Sequence, residues 1–344
     1  MMAKIDELLG QLRTTVIGSF PLPHSYENMA RAIKDQVEAG IDYPCYGQLL
    51  DMNLMFLEPL AEQGCGVEIR GGEAWLVGEP KPPSKPIALE FLEFALRFLS
   101  ERGLSDKVLG VKVPVTGPVT LASVIKVSNK HRAVEYPDVV LSLAKVVASI
   151  VKGYDEAGAK LITIDEPSLP YALYAGLSED VILEALSVVS KAFDRSIPSL
   201  HCCGDVKPVI NLLMRSEIPV LSFAFKATPA NLDALDRRAL EVHDKMVGLG
   251  CVDSNPEPQL LMEVASGKRS WAEVVESVEE VEAFIEAAGR KLGFERLLIH
   301  PDCGFGGLKF YFKDDRGQLI AASKLKVMVE AARRVRSKLG LFKA

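Results

Sequence analysis

A chain of 344 residues, 48% hydrophobic and with a net charge of −6, is built to bury a large core rather than to hold a polyanion. No basic stripe points to nucleic acid, no like-charge block to a disordered tail, and no apolar stretch reaches the length of a membrane span. Residues 1–15 are polar and lack the apolar run and cleavage site of a signal peptide, which predicts a soluble, cytoplasmic protein forming one domain over 1–344. The six cysteines, Cys45, Cys65, Cys202, Cys203, Cys251 and Cys303, are too sparse for a disulfide framework and are expected as thiols or metal ligands.

Short apolar runs alternate with amphipathic stretches along the chain. A polar N-terminal helix leads into a strand over 14–19, and a weaker strand is predicted over 41–46. Residues 53–107 fit the alternation poorly. Their Gly- and Pro-rich centre, 71–86, predicts a hairpin-like insertion after the second strand, with no long helix. Six further buried strands are predicted over 108–117, 160–167, 196–204, 219–225, 247–253 and 296–304. Helical patterns fill most of the gaps, as over 139–158 and 271–293, both ending in glycine. Eight strands with helical crossovers predict an α/β fold, a (β/α)₈ TIM barrel rather than a doubly wound sheet.

The chemistry gathers at the predicted strand ends. His201-Cys202-Cys203-Gly204 offers an imidazole and a thiolate two residues apart, and Pro301-Asp302-Cys303-Gly304 offers a second thiolate. Zn2+ takes such N and S donors, and a site with an open place can activate a substrate thiol, so the pattern predicts alkyl transfer to sulfur. Cys202 alternates with its neighbours and should face the other way, into the core. Ser19, Asp165 and Asp253 also follow predicted strands, where a TIM barrel places its active site. Asp165 ends an apolar strand, and a buried carboxylate there needs a partner, most simply a substrate. Asp253 reads equally as a loop cap. His300 reads equally as a packed residue or as an outer partner of the metal site. Trp75, in the insertion, reads as an aromatic packed on the barrel rim.

Taken in order, Thr15-Val16-Ile17-Gly18-Ser19-Phe20-Pro21, Asp51-Met52, Thr116-Gly117-Pro118, Ile164-Asp165-Glu166-Pro167, His201-Cys202-Cys203-Gly204-Asp205 and Pro301-Asp302-Cys303-Gly304 resemble the catalytic domain of cobalamin-independent methionine synthases. The resemblance covers nearly the whole chain. It implies a barrel, a catalytic zinc and methyl transfer to a thiol. By it, His201, Cys203 and Cys303 match zinc ligands, and the Ile17-Gly18-Ser19 backbone matches the loop holding the homocysteine carboxylate. Asp165 matches the carboxylate that binds the substrate amine. Glu166 is given no direct contact.

Three departures from the family pattern are visible. Ala224 stands where the family has a glutamate zinc ligand, Gln48 where it has a second amine-binding glutamate, and Asn255 where it has a histidine for proton transfer. His-Cys-Cys still suffices for a catalytic zinc with an open position. Asn255 is thereby the catalytic-position residue that cannot protonate a departing folate nitrogen. The chain also starts directly at the catalytic domain, without the N-terminal barrel that helps hold folate. Both points predict a corrinoid protein as methyl donor. Homocysteine, a small-molecule thiol, is the expected acceptor, with coenzyme M the alternative. A uroporphyrinogen-decarboxylase-like barrel would need arginines, of which the strand ends offer few, and an inactive relative would hold no zinc.

Overall fold

The computed structural model describes residues 5–341. Its first strands, β1 (Val67–Arg70) and β2 (Glu73–Leu76), form an antiparallel hairpin. Six parallel strands follow in sequential order: β3 (Lys112–Thr116), β4 (Leu161–Asp165), β5 (Ile197–Cys202), β6 (Val220–Ala224), β7 (Met246–Gly250) and β8 (Leu297–His300). Every residue of β3 to β8 is buried, as expected of strands with a packed interior on one side and helices on the other.

Two short segments close the ring. Thr14 bridges Ile299 of β8, Thr15 bridges Tyr43, and Cys45 bridges Lys112 of β3, each in parallel sense. With these staves the sheet is a (β/α)₈ barrel. The strands expected over 14–19 and 41–46 are thus reduced to single bridges. Pro44 lacks the N–H a continuous ladder needs. After Thr15 the chain leaves the ladder to form the Ile17–Ser19 loop.

Other expectations are corrected in detail. The stretch 53–107 is only partly an insertion, because it holds the helices Leu54–Glu62 and Leu89–Glu101 around the hairpin. Pro59 is taken up inside the first of these helices, and the cluster Pro80–Pro86 ends before Leu89, which leaves Leu89–Glu101 free to cross over to β3. Trp75 sits between the Arg70 guanidinium and the Lys126 ammonium, 5.7 and 5.3 Å from its ring centre, and stays on the rim. The single helix expected over 271–293 is a 3₁₀ turn, Trp271–Val274, followed by Val278–Leu292. Ser277 and Glu280 exchange the bonds of a capping box and so begin a new helix. Part of the expected N-terminal helix lies outside the described residues, and a helical turn at Ile5–Leu9 is what the structure describes.

The period-2 alternation sorts the barrel interior into levels. Leu161, Ile197, Val220, Met246 and Leu298 form an apolar plug with Tyr43, closed below by Ile5 and Leu8. Two residues further along the strands stand Thr163, Ser199, Ser222, Gly248 and His300, and beyond them Asp165, His201, Ala224 and Gly250. Polar groups therefore accumulate towards the C-terminal mouth. Among the described residues no helix is long and apolar enough to cross a membrane.

Candidate active site

The mouth of the barrel holds a pocket of about 230 Å³. Ile17, Gly18, Ser19, Gln48, Asp165, His201, Cys203 and Cys303 all line it, and Asp51, Met52, Lys309 and Phe310 are among the other wall residues. Asn255 is not in the lining. It is exposed on the β7 loop, where its backbone N–H donates to Asp253 Oδ1 at 2.9 Å. The Asp253 N–H in turn donates to Glu276 Oε1, and Asp253 is not in the lining either.

His201, Cys203 and Cys303 present one donor atom each, all within 4.8 Å of one another. His201 Nε2 lies 2.8 Å from Cys203 Sγ, and Cys203 Sγ lies 3.2 Å from Cys303 Sγ. Cys202 is wholly buried on the opposite face of β5. In this pair the Cys303 thiol is held well below the usual thiol range, because the Cys203 sulfur donates to it. Cys203 is correspondingly pushed up. A cluster of one imidazole and two sulfurs, closely spaced and open to a pocket, fits a soft divalent cation such as zinc.

The imidazole's tautomer is set by a chain of neighbours. His300 Nδ1 is 2.6 Å from the Pro301 carbonyl, which only accepts, so this nitrogen carries the proton. Burial pushes the His300 pKa down to about 3, and the ring is neutral. Its Nε2 must then accept from Ser222 Oγ at 2.8 Å, and Ser222 accepts from His201 Nδ1 at 2.9 Å. His201 Nε2 is left with its lone pair towards the sulfurs. This is the outer support that ligating histidines usually need. Gly248 makes the arrangement possible, since a Cβ there would come within 2.7 Å of both His300 Nε2 and Ser222 Cβ.

Asp165 is 7% exposed, and its Oδ1 has no hydrogen-bond partner. Burial pushes its pKa up to about 6, and nearby Lys112 and His201 pull the other way. A buried carboxylate oxygen without a donor is costly unless a ligand supplies one. Glu166, beside it, is fully engaged instead. Its carboxylate accepts from Val119 N, Thr120 N and Thr120 Oγ1 at 2.9, 2.8 and 2.7 Å, capping the helix Pro118–Val124. Gly117 is required there, because an added Cβ would stand 2.2 Å from Glu166 Oε1. Gly117→Ala should therefore displace a buried, three-fold bonded carboxylate and lower stability by about 1–3 kcal/mol, as overpacking does. Urea unfolding of the purified variant measures this, and an unchanged midpoint would refute it.

The β6 and β8 ends are tied by Asp302, whose carboxylate accepts from the backbone N–H groups of Phe225, Lys226 and Ala227. Ala224, buried at the mouth, brings no fourth ligand. Ser222, Lys309 and Phe310 were not singled out from the sequence. Ser222 could have been found from strand period alone, since it stands two residues before Ala224 on the inward face of β6. Lys309 and Phe310 belong to a 3₁₀ segment, Gly306–Phe310, whose path no sequence pattern predicts.

A thiol- and imidazole-bearing pocket at the C-terminal mouth of a (β/α)₈ barrel defines a barrel enzyme with a candidate soft-metal centre. Residues 98–334 match the family described as cobalamin-independent synthase, catalytic domain. The chain is 30% identical over 340 residues to a methionine synthase of Methanothermobacter thermautotrophicus, covering 93% of this chain and 99% of that protein. It is 29% identical to a methionine synthase of Methanothermobacter marburgensis, covering 93% and 98% respectively. Among solved structures, a B12-independent methionine synthase from Shewanella sp. W3-18-1 superposes with a TM-score of 0.69 at 16% identity, over 97% of this chain and all of that one. The chain belongs to the cobalamin-independent synthase family.

Proposed function

We propose that the protein is a zinc-dependent methyltransferase that moves a methyl group to the sulfur of homocysteine, forming methionine. The observation that carries this reading is the pairing, in one small pocket, of the His201-Cys203-Cys303 cluster with an unpartnered buried carboxylate oxygen of Asp165. One group suits a thiol and the other an ammonium, and homocysteine has both. The curated relatives named methionine synthase support the same acceptor.

His201 Nε2, Cys203 Sγ and Cys303 Sγ would hold Zn2+, which supplies a Lewis acid that lowers the pKa of a neighbouring thiol. The chain's own residues do the remaining work. Asp165 Oδ1 accepts from the substrate ammonium and fixes the amino acid end. The backbone of Ile17-Gly18-Ser19 faces its carboxylate. Ser222 and His300 hold the His201 ring in the tautomer that leaves Nε2 free. Gln48, 4% exposed and 3.3 Å from Met55 Sδ through its amide nitrogen, adds a neutral wall where a glutamate would give the ammonium a second carboxylate.

For the donor we infer a methylcorrinoid presented from outside the pocket. A pocket of about 230 Å³ leaves room for the small acceptor alone, so the donor would meet it from outside. Asn255, the residue at the family's histidine position, is neither acidic nor in the pocket wall. Protonation of a leaving folate nitrogen is therefore unprovided at that place. The purified protein should carry about one zinc per chain, as an open catalytic site does. Methylcobalamin or a methylated corrinoid protein should support methionine formation, while methyltetrahydrofolate should not. Robust turnover with folate polyglutamate alone would refute the donor. Faster methylation of coenzyme M than of homocysteine would refute the acceptor.

A further inference from the structure

The Ile17–Ser19 loop is held from beneath by two buried side chains that the sequence does not connect to it. Lys112, on β3, is 1% exposed, and its ammonium donates to the Ile17 carbonyl. Among the described residues it forms no ion pair with a carboxylate, an unusual state for a buried lysine. Cys45, also 1% exposed, donates its thiol to the Gly18 carbonyl at 3.2 Å. The ends of the loop are fastened separately, by Phe20 N to Gln48 O at 2.9 Å and Phe305 N to Ser19 O at 2.7 Å.

The peptide unit converts these anchors into an orientation. In a planar trans peptide, a carbonyl and the N–H that follows it point in opposite directions. With Ile17 O drawn into the barrel, Gly18 N–H faces away from it. With Gly18 O drawn towards Cys45, Ser19 N–H does the same. Among the described residues neither N–H meets a protein acceptor, and both residues line the pocket that Asp165 enters. A side chain at position 18 would collide with Gln48 Oε1 at 2.5 Å, so the loop's approach is close as well as fixed. Two adjacent free N–H groups above a buried ammonium form a cradle for an anion.

We propose that Lys112 and Cys45 are positioning residues that preset the Gly18 and Ser19 amides to read the carboxylate of the amino acid substrate. The inference rests on the amino acid thiol acceptor argued above. It makes Lys112 a determinant of carboxylate recognition although it touches no substrate. The thioether product suits the test, because its binding needs no methyl donor.

Zinc-loaded protein is titrated calorimetrically with L-methionine and with 3-(methylthio)propylamine, which keeps the amine and thioether but lacks the carboxylate. Wild type should prefer methionine. Lys112→Met should weaken methionine binding by about tenfold more than it changes binding of the amine, whose partner Asp165 also feels the lost charge. Cys45→Ala should weaken methionine by about threefold, and Cys45→Ser, which keeps a donor, should restore it. A purely structural role would weaken both ligands together in every variant, and that result would overturn the proposal. Unchanged methionine binding in Lys112→Met would overturn it too. If Lys112→Met fails to fold, the Cys45 pair decides by the same criterion. Wild type that binds the amine as tightly as methionine refutes the carboxylate cradle alone. Wild type that binds neither refutes the acceptor reading, and the inference falls with it.

Discussion

Cys203→Ala should leave the purified protein without stoichiometric zinc and without methyl transfer, while Cys202→Ala should keep both. The two residues are neighbours in sequence and opposites in space. Cys203 Sγ stands 2.8 Å from His201 Nε2 and 3.2 Å from Cys303 Sγ. Cys202 is fully buried on the helix-facing side of β5, and burial pushes its pKa above the usual thiol range. Removing an outer partner of a metal ligand commonly costs about 10–100-fold in affinity, and removing one of three protein ligands should cost more. Cys202→Ala deletes one buried sulfur, a large-to-small change whose cost falls on stability. Metal analysis of both variants, paired with a methyl-transfer assay, separates the roles. Equal zinc loss from the two would mean that the wrong cysteine has been assigned. A full zinc complement in Cys203→Ala would refute the centre as drawn.

Asp165→Asn should weaken homocysteine binding by about ten- to a hundredfold, matching the roughly 1.5–3 kcal/mol of a hydrogen bond to a charged group. The structure leaves Asp165 Oδ1 unpartnered and places the residue in the pocket wall. If homocysteine is the acceptor, Asp165 carries most of the ammonium recognition, because Gln48 is neutral. A thiol lacking an amine should be nearly indifferent to the change. Untouched homocysteine kinetics in Asp165→Asn would make the carboxylate structural or the acceptor a different thiol. Gln48→Glu gives the complementary measurement. It should tighten homocysteine in an amino acid pocket, and a weaker KM effect for homocysteine than for coenzyme M would argue against one.

Much of the barrel and of the pocket was legible in the residues. Each of β3 to β8 is a short, mostly apolar run that ends in glycine or polar residues, and burial on both faces produces such a run directly. His201, Cys203, Cys303 and Asp165 were visible because chemically reactive groups ended those runs. The two closing staves were less legible, since Thr14–Thr15 and Tyr43–Cys45 pair through isolated bridges rather than ladders. The extent of the insertion was misjudged because prolines at Pro80–Pro86 masked the helical pattern that resumes at Leu89. Asn255 was aligned by sequence order, and a loop's path is not set by order.

What the sequence by itself determined is the alternation of strands and helices, the inward or outward side of each strand residue, and the donors available at the strand ends. Those follow from local periodicity and from the cost of burying polar groups without a reason. Only the tertiary structure decided which of them meet. The Ser222–His300 support of His201, the capping of Pro118–Val124 by Glu166, and the grip of Lys112 and Cys45 on the Ile17–Ser19 loop join residues far apart in the chain. Each depends on barrel closure and on strand register, which hydrogen-bond partners across the whole ring set together, and no local stretch of chain encodes them alone.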